Sequence, residues 1–206
     1  MDLDSIISII IGVLVVIGLP LALRKRKKVG PQKREELCQY LKEMGIKVSL
    51  AEKGDAKEKI GLSRASGQKS EGTIQLQEQN INFINIISMS SQYGTNYFLD
   101  HLVKSPNIMG GRTLKKTRLI RKKSPPLWGK VVTIEWRGDE SLAQSLNLDY
   151  SLEDRLLRSN LKDFKGSIWI FPEPKHGYTR IRLTYLLPAS EIFEAINIIA
   201  KHVKSW

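Results

Sequence analysis

Residues 5–23, SIISIIIGVLVVIGLPLAL, run nineteen positions without a charge, and Arg24-Lys25-Arg26-Lys27-Lys28 follows at once. At about 1.5 Å of rise per residue such a helix covers roughly 28 Å, close to the hydrocarbon core of a bilayer. The apolar character runs all the way round instead of forming one stripe, which separates it from a helix laid on a globular core. A secretory signal would carry cations before the apolar stretch and small residues after it; here Asp2 and Asp4 precede and the cations follow. The pattern predicts a transmembrane helix with a basic stop. The excess of Lys and Arg on its C-terminal side places the N-terminus outside and the remaining chain in the cytoplasm.

Beyond Lys28 the pattern changes to short amphipathic pieces. Pro31 can open a helix over QKREELCQYLKEM that Gly45 ends, with Leu37, Tyr40, Leu41 and Met44 in one stripe. Residues 52–72 are polar and rich in Gly and Ser, the composition of a linker or long loop. From Thr73, TIQLQ alternates and NINFINIIS continues with β-branched and aromatic residues, so strands are expected. Tyr97 to Val103 fits a strand or a helical turn equally well.

The last third reads as KVVTIEW in a strand, a turn at Arg137-Gly138-Asp139, then helices over 141–148 and 152–161, the second capped by Ser151 and Asp154. SIWIF and YTRIRLTYLL follow as strands around the turn at Pro172 to Gly177. In the latter, Ile181, Leu183 and Tyr185 alternate with Arg180, Arg182 and Thr184. Ser190 can cap a final helix lined by Ile192, Ile196, Ile199 and Val203. The order β-α-α-β-β-α predicts an α+β fold, a mainly antiparallel sheet with helices packed on one face. The chain thus divides into a transmembrane anchor over 1–28, a juxtamembrane helix and polar linker over 29–72, and a cytoplasmic α+β domain over 73–206.

Charge adds a second feature. The net charge is +12, yet residues 131–206 hold ten cations and ten acids, while 112–130, RTLKKTRLIRKKSPPLWGK, hold eight cations and no acid. Topology alone accounts for Arg24, Lys25, Arg26, Lys27 and Lys28. It does not account for Arg112, Lys115, Lys116, Arg118, Arg121, Lys122, Lys123 and Lys130. All thirteen are candidates for contact with an anionic surface, since a cation near anionic headgroups gains about 1 kcal/mol. Leu114, Leu119, Ile120, Leu127 and Trp128 interleave with the second group, with Trp128 suited to the headgroup level. The plainer reading is a solvated loop, or an edge strand whose lysines discourage pairing.

Nucleic acid is the rival partner. Trp169 and Phe171 share one strand face and Arg180 and Arg182 follow on the next strand, as in a stacking platform. Ile168 and Ile170 make that strand apolar on its other face too, which points instead to a buried central strand.

No catalytic or metal motif stands out. His101, His176 and His202 are isolated, Cys38 is the single cysteine, and neither a Walker A sequence, G-x-S-x-G nor H-E-x-x-H occurs. Gly110-Gly111-Arg112-Thr113 lacks the Lys-Ser/Thr ending of a phosphate loop. The lone cysteine suits a reducing compartment. No catalytic, cofactor-binding or metal-ligating residue is assigned, and no cofactor is expected. The partners expected are the bilayer through the anchor, then anionic headgroups or a protein, with nucleic acid less favoured; the oligomeric state is open. The reading is a non-enzymatic, membrane-anchored binding domain. The alternatives are a membrane-associated nucleic-acid-binding domain and an enzyme whose site is assembled from scattered residues.

Overall fold

Side-chain alternation along eight strands decides the architecture. The computed structural model describes residues 29–63, 67–109, 114–125, 130–159 and 167–206. The expected membrane span and basic stop lie outside those residues, and among the described residues no helix is long and apolar enough to cross a membrane. The strands are β1 (Val48–Leu50), β2 (Gln68–Leu76), β3 (Phe83–Ser91), β4 (Gly94–Lys104), β5 (Thr117–Ser124), β6 (Lys130–Arg137), β7 (Trp169–Glu173) and β8 (Tyr178–Thr184). They form one antiparallel sheet in the order β1-β2-β3-β4-β8-β7-β5-β6. The β7–β8 hairpin is therefore inserted between the meander β1–β4 and the hairpin β5–β6.

Among the described residues four α-helices accompany the sheet: α1 over residues 29–43, α2 (Glu140–Asn147), α3 (Tyr150–Arg158) and α4 (Ser190–Ser205). Ile74 and Leu76 of β2, Ile84 and Ile86 of β3, Leu99 and Val103 of β4, and Ile181 and Leu183 of β8 share one core with Ile170, Leu119 and Trp136. Period-two alternation puts all of these on the same face. The same core takes Leu37, Cys38 and Leu41 of α1, Leu142 and Leu146 of α2, Leu152 and Leu156 of α3, and the stripe Ile192, Ile196, Ile199 and Val203 of α4. Each large aliphatic side chain buried in this way contributes about 1.5–3 kcal/mol of hydrophobic transfer.

Two corrections concern the helix caps. Asp149, not Ser151 with Asp154, caps α3; its Oδ1 accepts the Leu152 N–H at 3.0 Å and the Ser151 hydroxyl at 2.7 Å. The helix starts at Tyr150, two residues before the pattern that opens at Leu152, so the cap moves two residues upstream to Asp149. Ser190 lies inside the first turn of α4, and Ala189 holds the cap position without a side-chain bond. Asp139 caps α2 through the Leu142 N–H, and the turn before it needs Gly138 at φ +145°, where a Cβ would overlap the backbone at Lys116 and Thr117.

The region expected as juxtamembrane helix and linker is built into the fold. Leu37 and Leu41 are fully buried, and the Tyr185 hydroxyl donates to the Lys33 carbonyl at 2.9 Å. α1 meets β2 where Gly72 lies against the Arg34 side chain, and Lys33 stands over the Tyr97 and Tyr185 rings at 5.2 and 4.2 Å. Residues 68–72 belong to β2, and Ala56–Lys59 form a 3-10 helix laid on the opposite sheet face. Asp55 caps that turn, Ile60 is buried, and Asn85 Nδ2 donates to the carbonyls of Lys57 and Glu58 at 3.4 and 3.2 Å. Few apolar residues were needed because the segment is held largely by part-buried hydrogen bonds and one isoleucine.

The outer edge of β6 is partly closed by a side chain. Asn147 accepts the Trp136 N–H at 2.8 Å and donates to the Trp136 carbonyl at 3.1 Å, standing in for a neighbouring strand.

Candidate functional site

The sheet face turned away from the four helices divides into two halves. Segment 51–63 covers the β2–β3 half, with Lys57 Nζ 5.0 Å from the Phe83 ring centre and Gly61 against the Arg180 guanidinium. The half formed by β4, β8, β7 and the start of β5 is not covered by any described segment; it carries Phe98, Arg180, Arg182, Trp169, Phe171, Lys116 and Arg118. Strand pairing places them there: Phe98 stands opposite Thr184, Phe171 opposite Arg180, Trp169 opposite Arg182, and Arg118 opposite Trp169.

Three rings and four cations interleave on this surface. Trp169 and Phe171, two residues apart on β7, lie nearly parallel, with centroids 6.2 Å apart and an interplanar angle of 18°. Lys116 Nζ is 4.6 Å from the Trp169 centroid and 5.7 Å from that of Phe171, and the Arg118 guanidinium is 5.5 Å from Trp169. Arg180 stands 4.4 Å over Phe171, and Arg182 lies between Phe98 at 5.5 Å and Phe171 at 6.0 Å. The rings are half-buried, while Lys116 and Arg118 are exposed. Phe98, Lys116, Trp169, Phe171 and Arg182 help line a depression of about 210 Å³.

The two arginines of β8 are held from beneath by carboxylates. Arg182 makes a forked pair with the fully buried Asp100, Nε to Oδ1 at 2.6 Å and Nη2 to Oδ2 at 2.8 Å. Arg180 reaches Asp100 Oδ2 at 3.3 Å and Glu173 Oε1 from Nε and Nη2 at 3.1 and 2.8 Å. Forked charge-assisted bonds fix both guanidinium planes. Their charge is largely answered within the cluster. Lys116 and Arg118 form no ion pair with a carboxylate among the described residues, so the outward charge of the face rests on them.

The candidates from sequence separate accordingly. Arg24, Lys25, Arg26, Lys27, Lys28 and Arg112 lie outside the described residues, and Lys130 opens β6 without a described side chain. Lys116 and Arg118 sit beside Trp169. Lys115 is exposed before β5, and its N–H reaches Asp139 Oδ2 at 3.4 Å. Arg121, Lys122 and Lys123 continue along β5, past its two-residue pairing with β7. Lys122 is paired across the hairpin with Glu135 at 2.9 Å, and Glu135 also accepts Arg137 at 2.8 and 2.9 Å. Hydrogen bonds from Arg137 and Lys122 hold the Glu135 carboxyl at about 2. The run of cations is therefore answered in part by an acid on the neighbouring strand, outside the segment counted from sequence. Phe98 and Asp100 completed the site without a local signal. The Trp169/Phe171 strand is central, as its two apolar faces implied, but only its Ile168 and Ile170 side is sealed.

One further array has catalytic elements in it. Ser145 Oγ is 2.7 Å from His202 Nδ1, and His202 Nε2 is 2.8 Å from Asp149 Oδ2. Serine, histidine and carboxylate in series can make an activated nucleophile. Here Ser145 sits within the regular helix α2 and the other Asp149 oxygen caps α3, so the array ties α2, α3 and α4 together. Burial opposes ionisation of Asp149, and the bonds from His202, Ser151 and the Leu152 N–H outweigh it, holding the carboxyl at about 2. Among the described residues no group of three His, Cys, Asp or Glu side chains is arranged to hold a metal ion.

Comparison with protein-family models, with curated proteins and with solved structures finds no match to this chain.

Proposed function

We propose that the chain is a non-enzymatic, single-pass membrane protein whose cytoplasmic α+β domain binds an anionic, phosphate-bearing ligand on the open half of its sheet. The anchor of this reading is residues 5–23, with Arg24 to Lys28 keeping the domain inside. One observation carries the binding function: Lys116 and Arg118 stand exposed beside half-buried Trp169 and Phe171, on the half of the sheet face that no described segment covers. Four cations against two carboxylates leave the cluster net positive. An anion there meets charge in a partly desolvated setting, where each contact counts for more than in open water.

Heparin serves as a generic polyanion for the test. The full-length chain, solubilised in neutral detergent, is expected to be retained on heparin and released by salt. Reversing Lys116→Glu and Arg118→Glu together is expected to move release to markedly lower salt. Lys201→Glu, on the exposed side of α4, serves as a control with little effect. Equal loss with the control variant, or no retention at all, would overturn the reading. A reporter joined after Trp206 through a polar spacer tests the topology, and an external signal would sink the cytoplasmic assignment.

A further inference from the structure

We infer that the ligand is a single strand of nucleic acid whose bases stack on Trp169 and Phe171 while Lys116 and Arg118 hold its phosphates. This rests on the anion-binding reading above and names the ligand class for that site. Three features of the face point the same way.

The rings come first. Trp169 and Phe171 are nearly parallel at 6.2 Å and lie in a depression rather than projecting from a rim. An aromatic side chain that enters a bilayer interface must protrude to the headgroup level. Rings seated in a concavity cannot press on a flat membrane, but an unstacked base can descend to them. A duplex cannot do this, since its base faces are already stacked.

The cations come second. Stacking platforms that bind single strands combine ring faces with positive charge that tracks the backbone. Lys116 and Arg118 flank Trp169 on the β5 side and keep their charge free for phosphate. Arg180 and Arg182 play a different part. Tied to Asp100 and Glu173, they wall the opposite side of Phe171 and hold it in place. Neutral rings between free cations on one side and neutralised guanidiniums on the other make a strip in which base and phosphate have separate places.

The geometry of the sheet comes third. The strip crosses β5, β7, β8 and β4, three steps of about 4.8 Å between neighbouring strands. It ends where Gly61 and segment 51–63 cover the sheet. That length accommodates a few nucleotides, not a long duplex footprint.

The test uses the full-length chain in phosphatidylcholine nanodiscs, titrated into fluorescein-labelled oligo-dT, oligo-rU and a duplex of mixed sequence, with anisotropy read at several salt concentrations. Both single strands are expected to bind more tightly than the duplex. Lys116→Gln and Arg118→Gln are each expected to reduce the slope of log affinity against log salt by about 0.7. Trp169→Ala is expected to weaken binding about tenfold or more with the slope unchanged, because stacking releases no counterions. Trp169→Leu, which fills space without a π face, should weaken binding similarly if the alanine variant folds poorly; Trp169→Phe should retain most of it. Equal affinity for duplex and single strands, or full affinity in folded Trp169→Leu, overturns the inference and leaves the anion-binding reading intact. So does retention on phosphatidylserine vesicles with no oligonucleotide binding. Failure to bind oligonucleotides, vesicles and heparin alike overturns both.

Discussion

His101 should make the stability of this domain depend on pH in a window where few carboxylates titrate. Its ring lies on the core face of β4, 1% exposed, with Nδ1 3.4 Å from the Ile181 carbonyl. Burial disfavours the imidazolium. A hydrogen bond to Ile181 and the charge of Asp100 pull the other way without compensating, so the ring is held at about 4 against its ordinary 6.5. As pH falls below about 6.5 the unfolded chain binds a proton at this position and the native chain does not until about 4. Stability is therefore lost across that window and not regained below it. At 1.36 kcal/mol per tenfold in proton affinity, the loss is about 3 kcal/mol, or roughly 6–12 °C in Tm for a domain of this size. His101→Gln removes the titration while keeping a polar side chain of similar reach. Urea denaturation of both proteins from pH 7.5 to pH 4, followed by circular dichroism, should show their stability difference shrinking by about 3 kcal/mol on acidification. A difference that stays constant through the window would refute the argument, because the ring would then be titrating as if in water.

Two further outcomes follow from groups already described. Asp100→Asn leaves the buried Arg180 and the part-buried Arg182 without their shared carboxylate and should cost about 3–5 kcal/mol. Combining it with Arg182→Gln should cost less than the two changes added, by about 0.5–3 kcal/mol, and strict additivity in urea unfolding would show that the pair is not coupled. The Asp149 carboxyl, held at about 2, contributes stability that is present above its ordinary range near 3.9 and lost as pH falls towards 2. His202→Gln should move that loss to higher pH, and superimposable acid profiles for variant and native chain would rule out the α2–α3–α4 clamp.

Sequence pattern was a good guide wherever one face of an element is wet. The stripe of α4 and the alternation of β8 were legible because polar residues mark the opposite side. It was ambiguous at Tyr97 to Val103 for a physical reason: β4 is central, with Leu99 and Val103 buried on one face and Asp100 and Leu102 on the other, so polarity carries no period. Composition read residues 52–72 as a linker or long loop, and residues 51–63 are loop around one 3-10 turn. It missed residues 68–72 of β2 and the packing of the loop, because it weighs how many apolar groups a segment has, not whether Ile60 and the Asn85 amide find partners. At the candidate site the basic segment and the Trp169/Phe171 strand were each visible. Their meeting was not, since the pairing of β5 with β7 is a tertiary fact with no local signature. The same holds for Asp100 beneath Arg180 and Arg182, which come from strands far apart in sequence.

The position of the open face within the sheet has a consequence for discrimination. β7 and β8 each have a hydrogen-bonded neighbour on both sides, so the peptide groups beneath the rings are already engaged. Whatever settles there cannot extend the sheet or read the main chain; it meets only the outward alternate of each residue pair. A ligand bound there as proposed would be sorted as flat against bulky and negative against neutral, with little reading of finer chemical detail. It is also easy to retune: Lys116, Arg118 and Trp169 can change without touching Thr117, Leu119 or Ile170 on the sealed side. Under the proposed binding role, the preference of the face could therefore drift over evolutionary time while the fold that displays it stays fixed.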